Sequence, residues 1–203
     1  MIKVAITGGI SVGKTTVSNL FKRLGVPTFN SDTSARNAER FASIQSEYKR
    51  ILGDDIFVNG KLDRPKMREI IFNDGDKLKQ INNVVIPFVS EDFSEFCITN
   101  SEQPYVILES AILFETGSSK KFDYIITITA DEDKKIERTM ERDGVSKEVV
   151  VSKIKNQYSD EYKLHCSNFE IKNNGGMIDL EEQVLDIHMQ LCRLVLIKNR
   201  NKQ

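Results

Sequence analysis

Residues 8–15 read GGISVGKT and fit the spacing Gly-x-x-x-x-Gly-Lys-Ser/Thr. Each fixed position has a physical use. Gly8 and Gly13 allow a tight backbone path along which successive N–H groups turn inward onto phosphate oxygens. Where such a loop opens a helix, the partial positive charge of the helix N-terminus adds to the attraction. Gly9, Ile10, Ser11, Val12, Gly13, Lys14, Thr15 and Thr16 therefore form the candidate nucleotide-binding segment. Lys14 brings a mobile full charge to the β- and γ-phosphates. Thr15 brings a hydroxyl to Mg²⁺, whose remaining ligands come from phosphate and water. The plainer reading is a glycine turn before a lysine-bearing helix, and a strand before the loop with a helix after it argues against that.

A phosphate loop identifies a nucleotide and leaves the reaction open. A GTP-dependent switch carries Asn-Lys-x-Asp for guanine and Asp-x-x-Gly for the γ-phosphate, and neither is present; Asn201-Lys202-Gln203 has no aspartate after it. Small-molecule kinases need cations that neutralise a transferring phosphoryl group, often on a mobile lid. In KKIERTMERDG, Arg138 and Arg142 are four residues apart and share a helical face. They converge on a polyphosphate or form a solvated face with Glu137, Glu141 and Asp143. In FNSDTSAR, Asp32 is either a strand-end turn residue or the acceptor of a hydroxyl proton. Glu109 ends the apolar run VILE, where an acid either holds a water of magnesium or has no ligand. Glu115, after AILF, orients an acceptor or caps a helix.

The elements that must hold these residues are legible as periodicity. Residues 2–7, IKVAIT, read as a buried strand. Helical period follows, with Val17, Leu20, Phe21 and Leu24 on one face and Gly25 as the stop. Residues 26–29 form a second strand, so the start is a βαβ unit and predicts a parallel sheet. Asp32 then falls at the carboxyl edge of that sheet, where ligands bind in such folds. Between about 35 and 102 helical stripes replace strands: Met67, Ile70 and Ile71, then Leu78, Ile81 and Val85. Asn59-Gly60 marks a turn, and Asp63 stands as a helix cap two residues before Pro65.

Strands return at 105–108 and 124–128, two charged helices flank Gly144 over 131–164, and 169–171 is a last strand. A final helix carries Leu180, Val184, Ile187, Leu191 and Leu194, and the tail NRNKQ is expected to fray. The expected organisation is one kinase domain. Its sheet core spans about 1–34, 103–130 and 165–203, interrupted by a helical insertion over about 35–102 and by a charged helical segment over about 131–164 that carries the arginines a lid would need.

A chain of 203 residues holds one domain with a proper core. Its net charge of −1 offers no field to attract nucleic acid or an anionic membrane, so any anion site is built locally. Cys97, Cys166 and Cys192 lack metal-ligand spacing, do not pair with His165 or His188, and read as reduced thiols. The apolar run in MIKVAITGG is too short for a signal peptide, so the expectation is a soluble cytoplasmic protein, a monomer or weak oligomer.

GGISVGKT, followed by a strand and then Asn30-Ser31-Asp32 with Arg36, resembles the dephospho-coenzyme A kinase family. Supporting segments are GKLDRPKMREIIF at 60–72, AILFETG at 111–117, ERTMERDGVSKE at 137–148, Gln157, and 171–175. The resemblance implies ATP-dependent phosphorylation of the ribose 3′-hydroxyl of dephospho-coenzyme A, the last step of coenzyme A biosynthesis. It implies an α/β, three-layer phosphate-loop NTPase fold with a parallel sheet core, an inserted helical acceptor-binding substrate domain at about 35–102 and a helical lid at about 131–164. By the same likeness Asp32 is the base, Lys14 and Thr15 serve ATP and magnesium, and Arg138 and Arg142 are lid contacts. Thr7, Asp32, Arg36 and Glu115 then meet the acceptor.

Five positions depart from the family pattern. Asn30 replaces the first acid of an acid-x-acid pair, and Ile86-Pro87 replaces His-Pro. Asn168 replaces an Asp, Asp160 a basic lid residue, and Ala111 a Pro. Another phosphate-loop kinase, such as a nucleoside monophosphate kinase, and a nucleotide-binding protein without catalysis are the competing readings.

Overall fold

The computed structural model describes residues 1–200. The chain opens with β1 (Ile2–Gly8), α1 (Lys14–Arg23), β2 (Thr28–Asn30), α2 (Ser31–Ala38) and α3 (Ala42–Leu52). A short hairpin, β3 (Phe57–Val58) and β4 (Lys61–Leu62), precedes α4 (Arg64–Asn73) and α5 (Gly75–Thr99). Then come β5 (Tyr105–Glu109), β6 (Tyr124–Thr129), α6 (Glu132–Asp143), α7 (Lys147–Lys155), α8 (Asp160–His165), β7 (Phe169–Lys172) and α9 (Met177–Arg200). Two compact units result: Met1–Phe29 with the chain from Thr99 onward, and Asn30–Ile98.

The first unit is built on a five-stranded sheet in the order β2-β5-β1-β6-β7. β1 is central and pairs in parallel with both β5 and β6, and β6 pairs in parallel with β7. Side chains alternate across β1. Val4 and Ile6 join α1 (Val17, Leu20, Phe21) and α9 (Leu180, Val184, Ile187, Leu191) in the main core. Ala5 points the other way, to Leu113, Phe114 and Ile125. A sheet buried on both faces explains why its strands read as continuous apolar runs, and the arrangement is the α/β three-layer fold expected.

The second unit has its own core. Tyr48, Ile51 and Leu52 of α3 pack with Ile56, Ile81 and Val85, and Met67, Ile70 and Ile71 lie against them. Asp63 caps α4 by accepting the Lys66 N–H at 3.0 Å, with Pro65 in the first turn. Asn59 and Gly60 make the tight β3–β4 turn with φ of 51° and 75°, the paired positive values of a two-residue hairpin.

The structure departs from expectation in places. Leu78 is exposed at 39%, so the α5 stripe begins at Ile81. The segment 131–164 holds three helices instead of two: α8 forms separately because the Ser159 hydroxyl caps it, accepting the Tyr162 N–H at 3.1 Å. α3 has no counterpart among the stripes read from sequence. α9 continues through Arg200, so the expected frayed tail is helical to that residue, and 201–203 lie outside the described residues. Among the described residues no disulfide joins Cys97, Cys166 or Cys192, and no helix is long and apolar enough to cross a membrane.

Candidate active site

β1 ends at Gly8 and α1 begins at Lys14, so the loop between them leaves the centre of the sheet at its carboxyl edge. Two glycines are required there. A Cβ on Gly8 would collide with the Ile128 carbonyl oxygen of the neighbouring strand. Gly13 has φ of 94° and lies so close to the Asn173 side-chain amide that a Cβ would overlap Nδ2. That amide donates to the Val12 carbonyl at 2.8 Å, bracing the loop from the turn before α9.

Lys14 folds back over the loop. Its ammonium donates to the Gly9 carbonyl at 2.7 Å and to the Gly8 carbonyl at 3.1 Å. The charge is thus held at the mouth of the loop, beside the backbone it would share with a phosphate. Thr15, in the first turn of α1, donates its hydroxyl hydrogen to Glu109 Oε1 at 2.7 Å. Glu109 ends β5 level with Ile6 of β1 and is only 7% exposed. A hydroxyl and a carboxylate side by side are the oxygen donors a hard divalent cation takes. Among the described residues no group of three or more His, Cys, Asp or Glu is placed to hold a metal. A cation here would complete its shell with phosphate oxygens and water.

A cleft of about 300 Å³ adjoins the loop, lined by Ser11, Gly13, Thr16, Arg138, Asn173 and Gly175 among others. Arg138 projects from α6 and donates through Nη2 to the Asn173 carbonyl at 3.0 Å. Its Nη1 is buried without a hydrogen-bond partner, which leaves a cationic donor unsatisfied at this cleft. Arg142, one turn on, is engaged elsewhere: Nε and Nη2 donate to Asp143 at 2.8 and 3.1 Å. Its hydrogen bond with that partner holds the Asp143 carboxyl down at about 2, and raises Arg142 in turn. The two arginines share a helix and reach different partners.

Thr7 is buried in β1 and its hydroxyl has no hydrogen-bond partner. Glu115 accepts the Tyr158 N–H at 3.3 Å and lies 3.2 Å from the ammonium of Lys163, which has no exposed surface. Two further contacts reach the loop from residues 131–164. Ile10 N–H donates to Gln157 Oε1 at 3.0 Å, and the Ser11 and Thr139 hydroxyls are 2.7 Å apart.

The remaining candidates belong to the second unit. Asn30 ends β2 and caps α2, its Oδ1 accepting the Thr33 N–H at 2.8 Å. A neutral amide serves as well as a carboxylate in that role, a physical reason for Asn at this position. Asp32 stands exposed in the first turn of α2, and Arg36 is exposed one turn further on. Arg36 and Arg64 both face Glu39, with Arg64 Nη2 donating to Glu39 Oε2 at 2.6 Å. Burial raises the Glu39 carboxyl above its ordinary range, and the two arginines only partly oppose it.

Asn173 as a brace, Thr139, and the buried Lys163 were not marked as site residues by spacing. Asn173-Asn174-Gly175 is legible as a turn, and only the folded chain brings it to Gly13.

The family model for dephospho-CoA kinase matches residues 2–179. The dephospho-CoA kinase of Leptospira interrogans serogroup Icterohaemorrhagiae serovar Lai (strain 56601) is 34% identical over 195 residues, covering 95% of this chain and 94% of that one. Among solved structures, TT1252 from Thermus thermophilus aligns with a TM-score of 0.83 and 30% identity, over 93% of this chain and 96% of the other. Shikimate kinase from Acinetobacter baumannii in complex with shikimate aligns with a TM-score of 0.53 and 14% identity over 94% of each chain, a likeness of fold.

Proposed function

The chain belongs to the dephospho-CoA kinase family and phosphorylates dephospho-CoA with ATP in coenzyme A biosynthesis; we propose that the acceptor atom is the ribose 3′-hydroxyl and that Asp32 takes its proton. The hydroxyl oxygen bonds to the γ-phosphorus, its proton passes to the Asp32 carboxylate, and the bond to the β–γ bridging oxygen breaks to release ADP. Positioning and charge neutralisation supply most of the rate in such a transfer.

What supports the reading most is the loop itself, with the Lys14 ammonium folded over the Gly8 and Gly9 carbonyls. From there it moves onto the β- and γ-phosphates. Arg138 adds charge from the cleft wall, where its unsatisfied Nη1 and the Asn173–Gly175 turn suit the nucleotide. Arg142 joins it on release from Asp143. Thr15, with Glu109 acting through water, would hold Mg²⁺, which would neutralise charge on the phosphate oxygens.

Residues 131–164 act as the lid and about 35–102 as the acceptor-binding insertion, with Thr7, Arg36 and Glu115 on the acceptor side. The enzyme acts in the cytoplasm as a monomer or weak oligomer and binds no nucleic acid. Cysteines outside disulfides suit the first of these assignments, and a net charge of −1 suits the last.

The test is ADP release from ATP and Mg²⁺ with dephospho-CoA, set against nucleoside monophosphates, with the product's phosphate ester located by NMR. Turnover with dephospho-CoA alone and a 3′-ester are expected. Turnover with none of these acceptors sinks the kinase reading. Asp32→Asn is expected to lower kcat by about 10²–10⁴-fold, and an unchanged kcat removes Asp32 as the base.

A further inference from the structure

The rim of the phosphate loop is gripped from the segment 131–164 at two adjacent residues. Ile10 gives its N–H to Gln157 Oε1 at 3.0 Å. Ser11 meets Thr139, whose Oγ1 is 2.7 Å from the Ser11 hydroxyl and 2.6 Å from the Lys135 carbonyl. Thr139 has one hydroxyl hydrogen and a carbonyl can only accept. That single hydrogen is therefore shared between the Ser11 hydroxyl oxygen and the Lys135 carbonyl, both of which accept.

Ser11 has φ of 53°, a left-handed conformation that a serine holds only when its surroundings impose it. Its hydroxyl partner, Thr139, is fully buried in α6. Thr139 also follows Arg138, which lines the same cleft as Ser11. Gln157 is fixed in its turn, because the next residue, Tyr158, gives its N–H to Glu115, and Glu115 is paired with Lys163.

We propose that Thr139 and Gln157 are positioning residues that hold the Ile10–Ser11 stretch in its nucleotide-receptive shape, so that ATP affinity depends on this two-point grip. Without it, Ser11 relaxes toward negative φ and the N–H groups beyond it turn away from the phosphates. The proposal rests on the reading of this loop as the ATP site. It concerns binding and leaves the phosphoryl-transfer step to other groups.

The experiment measures ADP binding by calorimetry, with kcat and both KM values, for Thr139→Val, Thr139→Ser, Gln157→Leu, Ser11→Gly and the pair Ser11→Gly/Thr139→Val. Loss of either grip is expected to weaken ADP binding by about five- to tenfold, the scale of one hydrogen bond. KM for ATP should rise in parallel while KM for dephospho-CoA stays constant and kcat stays within about twofold. Thr139→Ser, which keeps the hydroxyl, should restore native affinity. In the Ser11→Gly background Thr139→Val should cost nothing further, because glycine accepts this φ and offers no hydroxyl to hold. An equal loss in both backgrounds, a fall in kcat with unchanged nucleotide affinity, or unchanged affinity in both Thr139→Val and Gln157→Leu overturns the proposal. ADP binding is read without the acceptor, so a chain that binds ADP and fails to phosphorylate dephospho-CoA rejects the kinase reading while the grip is still measured.

Discussion

The hydroxyl of Thr15 donates to Oε1 of Glu109 across 2.7 Å, tying the first turn of α1 to the carboxyl end of β5. The two residues are 94 positions apart in the chain and meet because β1 and β5 are parallel neighbours. If Glu109 orders a water on magnesium, Glu109→Gln keeps the shape and removes the charge. Half-maximal activity should then need about 10–100-fold more Mg²⁺, the usual effect of losing an outer-sphere carboxylate. A magnesium titration at fixed ATP checks this, and an unchanged midpoint removes Glu109 from the metal site.

Lys163 and Glu115 make a different kind of pair. Lys163 has no exposed surface, and its ammonium lies 3.2 Å from Glu115 Oε1 without the alignment of a hydrogen bond. Glu115 Oε2 is buried with no hydrogen-bond partner. Removing one charge strands the other, so Lys163→Met should destabilise the fold by about 3–5 kcal/mol in urea unfolding. Combining Lys163→Met with Glu115→Gln should recover most of that loss. A double variant no more stable than the single one would show that packing around the lysine stem, and not its charge, is what matters.

The difference between these pairs and the loop shows what a sequence can carry. The phosphate loop, the Asp63 cap and the Asn59-Gly60 turn are local: the residues that explain them lie within a few positions of each other. The parallel pairing of the strands follows from the βαβ start and from apolar runs long enough to be buried on both faces, whereas their order, β2-β5-β1-β6-β7, is a property of the folded chain. The Asn173 brace at Val12, the Gln157 contact at Ile10 and the Lys163–Glu115 pair join residues 48–161 positions apart. Nothing in their own neighbourhoods marks them. Leu78 fails for a related reason: its spacing fits the α5 stripe, and where the partner surface ends is a tertiary property.

His188 predicts a pH dependence of stability. The Tyr105 hydroxyl lies 2.6 Å from its Nδ1, and its Nε2 is 3.7 Å from Cys192 Sγ. Burial lowers the imidazole below its ordinary pKa of 6.5. In the unfolded chain the ring takes a proton near that value, while the folded ring takes it only at lower pH. Between the two the unfolded state binds more protons, so stability is full above about pH 6.5 and falls as pH drops through the folded value. Below the folded value this group adds no further loss. Urea midpoints from pH 7.5 to 5 should fall more for the native chain than for His188→Gln, which keeps an acceptor for Tyr105 and does not titrate. Parallel curves would assign the decline to carboxylates alone.

Arg138 and Arg142 stand on one helix in different circumstances, and that difference should be visible in kinetics. Arg138 spends Nη2 on the Asn173 carbonyl and leaves Nη1 buried and unsatisfied at the cleft. Arg142 is held by Asp143 near the surface, with a side chain 59% exposed. A lysine keeps the charge at either place but replaces a planar fork with a point donor, so it cannot both hold Asn173 and reach a phosphate. Arg138→Lys should therefore lower kcat/KM for ATP by about 10²-fold, the scale of one lost donor to a developing charge. Arg142→Lys should lose about tenfold, because leaving Asp143 already offsets part of what Arg142 contributes. Asp143→Asn frees the second arginine without touching the first, and it should raise kcat/KM for ATP in the native background. Equal losses at the two arginines, or no gain from Asp143→Asn, would show that Asp143 does not hold Arg142 back from ATP.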